Sequence, residues 1–120
     1  MPAYNKTALG GGAFQDNQGN PLSNGFITLT LSHDACLPPD ATNPSQIPAG
    51  ITTKMALDAN GNLVPQPRIW TNDILIPLGS YYVVMAYNYK GLAVWAAPQK
   101  WSINASGGVV DVGSIVPLTP

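Results

Sequence analysis

The sequence predicts an all-β chain folded as a single antiparallel β-sandwich of seven or eight strands. Three observations carry that prediction. In the clearest segments apolar and polar residues alternate with a period of two, which places one face of a strand on a core and the other in water. Turn residues punctuate the chain throughout, with 12 Gly and 12 Pro among 120 residues. The residues that build long solvent-facing helices are scarce: charged residues make up 9%, and every acidic residue is Asp, where globular chains carry about 25%.

The elements follow in chain order. Residues 3–12 carry little charge and end in Gly10, Gly11 and Gly12. They read either as an ordinary first strand that bends at the glycines or as an arm that adds to a neighbour's sheet edge. Asp16-Asn17-Gln18-Gly19-Asn20-Pro21 is a turn with Gly19 at a positive-φ position. Phe26 to Ser32 alternates strictly, with Ile27, Leu29 and Leu31 on one face and Thr28, Thr30 and Ser32 on the other. A proline-laced loop from Leu37 to Pro48 excludes a central strand there. Ile51 to Leu57 is a second alternating strand, with Ile51, Thr53, Met55 and Leu57 inward. Asp58-Ala59-Asn60-Gly61-Asn62 is a turn, and Pro65 and Pro67 lead into Arg68-Ile69-Trp70. Ser80 to Tyr89 is apolar on both faces and belongs in the middle of a sheet. Asn88-Tyr89-Lys90-Gly91 is a hairpin signal that would return Leu92 to Ala96 alongside it. Lys100 to Asn104 and Val109 to Val116 supply the last strands. No helix and no internal repeat is evident.

The composition excludes several functions. A net charge of -1 with five scattered Lys and Arg cannot track a phosphate backbone, so no nucleic-acid partner is expected. No apolar run reaches the roughly 18 residues of a membrane helix, so no membrane insertion by helices is expected. Cys36 is alone, which leaves no disulfide framework. The amino terminus has no apolar signal region, yet the Gly-, Asn- and Thr-rich, Lys-poor composition fits a virion or extracellular location. Area scaling buries about two thirds of the unfolded surface, enough for one domain over 1–120 without staples. Residues 1–12 and 113–120, both short of charge, are candidate docking arms.

Little chemistry is legible. His33-Asp34-Ala35-Cys36 gathers nucleophile, base and acid types, but adjacent strand positions diverge to opposite faces. Nothing pairs two of the six Asp residues for glycoside chemistry. Asp58, Asn60 and Asn62 echo a calcium loop that lacks its sixth-position Gly and terminal Glu. No catalytic residue, metal or cofactor is expected. The aromatics Trp70, Trp95 and Trp101, with the tyrosines of 81–89, have three uses: core, subunit interface, or a stacking platform for sugars beside Asn72, Asp73 and Gln99.

A resemblance adds to this reading. The stretch Gly12–Leu29 has a short strand, the Asp16–Gly19 turn, Pro21-Leu22, a small residue and a second strand. It resembles the opening of prealbumin-like sandwiches, which include transthyretin-like and carboxypeptidase regulatory-like domains. Pro77-Leu78-Gly79-Ser80-Tyr81 resembles their Pro-x-Gly-x-Tyr lead-in to a long central strand. Trp70-Thr71-Asn72-Asp73 through Trp95 and Trp101 is similar in texture to small sandwich domains of bacteriophage tail-fibre and other virion proteins. The likeness implies an immunoglobulin-like or prealbumin-like architecture. A Tyr81 hydroxyl bonded back to backbone would suit it, as in sandwich tyrosine corners. The function expected is a non-enzymatic structural or assembly module of a phage particle: capsid decoration, tail or fibre. It would act on other copies of itself or on other virion proteins, through Tyr4, Leu9, Trp70, Trp95 and Trp101. The alternative is a glycan-binding module or a secreted bacterial adhesin or filament subunit.

Overall fold

The computed structural model describes residues 5–10, 14–15, 18–42, 45–50, 52–63, 67–104, 109–112, 115 and 117–118. Among them run nine strands: β1 (Thr7–Gly10), β2 (Phe26–Leu31), β3 (Ala35–Cys36), β4 (Gln46–Ile47), β5 (Thr53–Ala56), β6 (Arg68–Ile69), β7 (Tyr82–Tyr87), β8 (Gln99–Trp101) and β9 (Val110–Asp111). The described residues contain no α-helix. The strands form a four-stranded sheet in the order β5-β2-β7-β8, a three-stranded sheet β6-β1-β9 and the hairpin β3-β4. The chain is an all-β fold of packed sheets, as the alternation requires.

β2 and β7 are the framework. They pair antiparallel over six residues each, from Phe26 opposite Tyr87 to Leu31 opposite Tyr82. Ile27, Leu29 and Leu31 face the core with Val84 and Ala86. Met55 and Leu57 join them from the β5 side, and Trp101 and Ile103 from the β8 side. The second sheet adds Leu9, Ile69 and Val112, and all these residues belong to one buried cluster. Gly25 makes the close pairing of β2 and β7 feasible. A Cβ there would collide with the Tyr87 carbonyl oxygen and meet Leu22 Cγ at 3.1 Å.

Two turns of one design close the sheet at the same end. The Asp58 carboxylate accepts the N–H groups of Asn60 (2.8 Å) and Asn62 (3.0 Å). The Asn88 side-chain oxygen accepts those of Lys90 (2.9 Å) and Leu92 (3.0 Å). Gly61 (φ 81°) and Gly91 (φ 82°) occupy the left-handed position in each, where a Cβ would be strained. The calcium-loop echo at Asp58 is thus an Asx turn whose Oδ1 is occupied by backbone amides.

Several sequence expectations change. Leu92 to Ala96 is not a full strand beside β7. Only Ala93 bridges Tyr87, with Val94 N–H donating to the Ala86 carbonyl at 3.0 Å. Trp95 then leaves the ladder to pack on Phe14 and Trp101, and β8 pairs with the remainder of β7. The Val109–Val116 strand is realised as β9, two residues long, which pairs parallel with β1 in the other sheet. The sandwich is therefore not antiparallel throughout. Thr7–Gly10, inside the stretch expected as a docking arm, is the middle strand of its sheet. Residues 1–4, 11–12, 113–114, 116 and 119–120 of the two candidate arms lie outside the described residues. The Leu37–Pro48 loop carries a short ladder at its base, Ala35 opposite Ile47 and Cys36 opposite Gln46.

Candidate functional site

The sheets do not close on each other along the side where β5 and β6 form the edges. A cleft of about 270 Å³ remains there, lined by Lys6, Leu29, Leu31, Ile47, Pro48, Thr53, Arg68, Ile69, Trp70 and Tyr82. Each wall has a local cause. Leu29 and Leu31 come from the inward face of β2. Arg68 and Ile69 are held by β1, where Ala8 pairs with Arg68 and Thr7 with Ile69. Ile47 and Pro48 arrive from the β3-β4 hairpin. That hairpin is pinned to the 71–79 loop by reciprocal backbone bonds between Cys36 and Ile76, 2.8 and 2.9 Å.

Tyr82 and Trp70 fix one end of the cleft. The Tyr82 hydroxyl donates to the Trp70 carbonyl oxygen at 2.6 Å. Burial pushes the Tyr82 phenol up to about 12, so it stays neutral and brings no negative charge. Lys6 Nζ lies 6.0 Å from the centre of the Trp70 ring, at the outer limit of a cation–π contact. Among the described residues no acidic side chain lines the cleft, and two of the five Lys and Arg residues do.

Of the sequence-named residues that are described, only Trp70 lies at this cleft. Leu9 is fully buried in the middle strand of its sheet, where its side chain is part of the core. Trp101 is likewise core, 2% exposed; its ring stacks on Phe14 at 6.3 Å, and its Nε1 donates to Gln99 Oε1 at 2.9 Å. Trp95 is half-buried against the same two rings. Tyr4 lies outside the described residues. The polar neighbours named for a sugar platform are engaged elsewhere. Asn72 is buried, donates its backbone N–H to the Ile103 carbonyl (2.7 Å) and accepts the Ile103 N–H on Oδ1 (2.8 Å).

The tyrosine corner expected at Tyr81 does not form, and the bond made by its neighbour reaches 12 residues upstream, beyond the local span of such a corner. Tyr82, not Tyr81, bonds back to backbone. Tyr81 is on the opposite face of the sheet, with Lys100 Nζ 5.4 Å from its ring centre. The His33–Cys36 cluster does not assemble. His33 Nδ1 meets Ser32 Oγ at 3.0 Å, Asp34 accepts the Ala49 N–H at 2.7 Å, and Cys36 is fixed through its backbone. Among the described residues no group of three metal-ligating side chains occurs.

A second feature concerns hydrogen-bonding capacity. The Leu57 N–H donates to the Gly25 carbonyl, and the β2–β5 register pairs Ile27 with Met55 and Leu29 with Thr53. Ladder alternation then directs the backbone groups of Met55 and Thr53 into β2, and those of Lys54 and Ala56 outward from the free edge. Among the described residues no backbone group meets that edge. Lys54 does not guard it, since its ammonium folds back over the Phe26 ring, 4.1 Å from the centre.

Lys6 and Arg68 escape sequence reasoning because no local motif links positions 6 and 68. Only the pairing of β1 with β6 brings them together. No family model, no curated protein and no solved structure matches the chain.

Proposed function

We propose that the chain is a non-enzymatic assembly module whose copies join through the free edge of β5. The observation that carries this is the outward row of Lys54 and Ala56 N–H and C=O groups, which has no partner among the described residues. Open edges are usually protected by Lys, Pro or a bulge. Here the strand is regular over its four residues, and its lysine lies on the sheet face. Antiparallel pairing of β5 with β5 of a second copy, about a two-fold axis, would merge two four-stranded sheets into one. Low charge supports close association, with a net charge of -1 and charged residues at 9%, because copies repel little.

A phage particle, with the module decorating a capsid or forming part of a tail or fibre, is the setting this reading favours. Its support is the sequence texture and the composition.

The test is light scattering on the purified chain across a hundredfold dilution, beside the Ala56→Pro variant. That substitution removes an outward N–H and leaves the β2–β5 bonds alone. The expected result is a dimer or larger oligomer for the parent and a folded monomer for the variant. A parent that is monomeric throughout, or a variant that associates as well as the parent, contradicts the reading.

A further inference from the structure

We propose that the cleft between β5 and β6 is a binding site for a medium-chain alkyl carboxylate. This inference is independent of edge pairing, because the cleft exists within one chain. Leu29, Leu31, Ile47 and Ile69 contribute an aliphatic strip to a lining that is about half polar, while Lys6 and Arg68 stand at the rim with no acidic residue among the described lining residues. Neither cation has an ion-pair partner among the described residues, and both are exposed.

Shape and charge together select the ligand. A closed apolar cavity of roughly 150 Å³ holds benzene; this cleft of about 270 Å³ is open along one side, so a saturated chain of about eight carbons would lie in it with part of its length against solvent. An alkyl tail on the aliphatic strip leaves one end at the rim, where two cations favour an anion and disfavour an amine. A carboxylate also matches the planar donor fork of Arg68. Tyr82 supports this, since its hydroxyl is spent on the Trp70 carbonyl and its phenol stays protonated. It therefore neither repels an anion nor competes for the cations.

The probe is sodium octanoate, followed by calorimetry and by tryptophan fluorescence, with 1-octanol and octylammonium as controls on sign and charge. Octanoate is expected to bind saturably, at least tenfold more tightly than octanol, with octylammonium weakest. A series from butanoate to octanoate should gain up to about fourfold in affinity per methylene, the signature of a buried chain. Arg68→Gln and Lys6→Gln should each weaken octanoate by about fivefold and leave octanol unchanged.

Three outcomes would overturn the proposal. One is no saturable binding. Another is octanol binding as tightly as octanoate. The third is an affinity flat with chain length, which would mean surface ion pairing only. The alcohol and chain-length comparisons use the unaltered chain, so they stand even if a variant fails to fold.

Discussion

Tyr82 ties the two sheets together through one atom. It begins β7, its ring lines the cleft, and its hydroxyl reaches the carbonyl of Trp70, the residue after β6. Replacing it with Phe leaves that carbonyl unpaired and should cost about 1–2 kcal/mol, read as a lower denaturation midpoint at neutral pH. The same substitution at Tyr81 removes no such bond. The pH dependence follows from the proton. Burial raises the Tyr82 phenol from 10.0 to about 12, so the folded state holds this proton more tightly than the unfolded state. The stability it contributes is complete below pH 10 and is lost as the pH rises toward 12. Urea midpoints measured between pH 9 and 12 should fall more steeply for the parent than for Tyr82→Phe.

Asn72 shows the same economy at a second residue. Its side-chain oxygen and its backbone N–H both engage Ile103, and its amide nitrogen donates to Ser80 Oγ at 3.1 Å. A sequence reader sees an Asn beside a Trp and thinks of a ligand. The structure uses it to lock a loop to the strand end after β8.

At the scale of elements, the β2–β7 pair depends on a missing side chain. Gly25→Ala would drive a Cβ into the Tyr87 carbonyl oxygen, backbone that cannot move without disturbing the ladder. A loss near the upper end of about 1–3 kcal/mol is expected. Gly50→Ala is the control, because a Cβ there meets nothing within 4 Å, and its midpoint should stay unchanged. β1 gives the second prediction at this scale. Deleting residues 1–9 removes most of the middle strand of the three-stranded sheet and fully buried Leu9. The truncated chain should lose cooperative unfolding by circular dichroism. A truncated chain that melts normally would show that the strand is dispensable.

These elements also show what could be read in advance. β2 and the inner side of β5 were legible because period-two alternation is a direct imprint of a half-buried sheet, and β7 because its Tyr- and Val-rich run is apolar on both faces. The Asp58 and Asn88 turns were legible because an Asx side chain and a positive-φ Gly leave a fixed local pattern. β3, β4 and β6 were not, since a two-residue ladder has no period to detect, and β9 was legible only as a longer strand, Val109–Val116. β1 could be read as a first strand or an arm because Thr-Ala-Leu running into three glycines is short and weakly patterned; its strand character comes from Ile69 and Val110 on either side. Thr53, read as inward, is exposed and lines the cleft instead. Trp70 was visible as a candidate, but its partners Lys6 and Arg68 depend on long-range pairing.

On the scale of the whole molecule, the described residues form an elongated body, 48 × 27 × 22 Å, whose core is sealed on most sides and whose β5 edge is open. Exposed apolar side chains sit at opposite ends of β7: Leu78 before it, Tyr89 and Leu92 after it. Isolated exposures of this kind are ordinary on a monomer. The edge differs because unpaired backbone groups in a row demand hydrogen bonds, from water or from another strand.

The most direct measurement is therefore amide hydrogen exchange at single residues of β5, compared at millimolar and micromolar protein. Edge pairing predicts that the Lys54 and Ala56 N–H groups are protected at high concentration and exchange freely on dilution. Thr53 and Met55, bonded into β2, should stay protected at both. Free exchange of Lys54 and Ala56 at every concentration would contradict assembly through this edge.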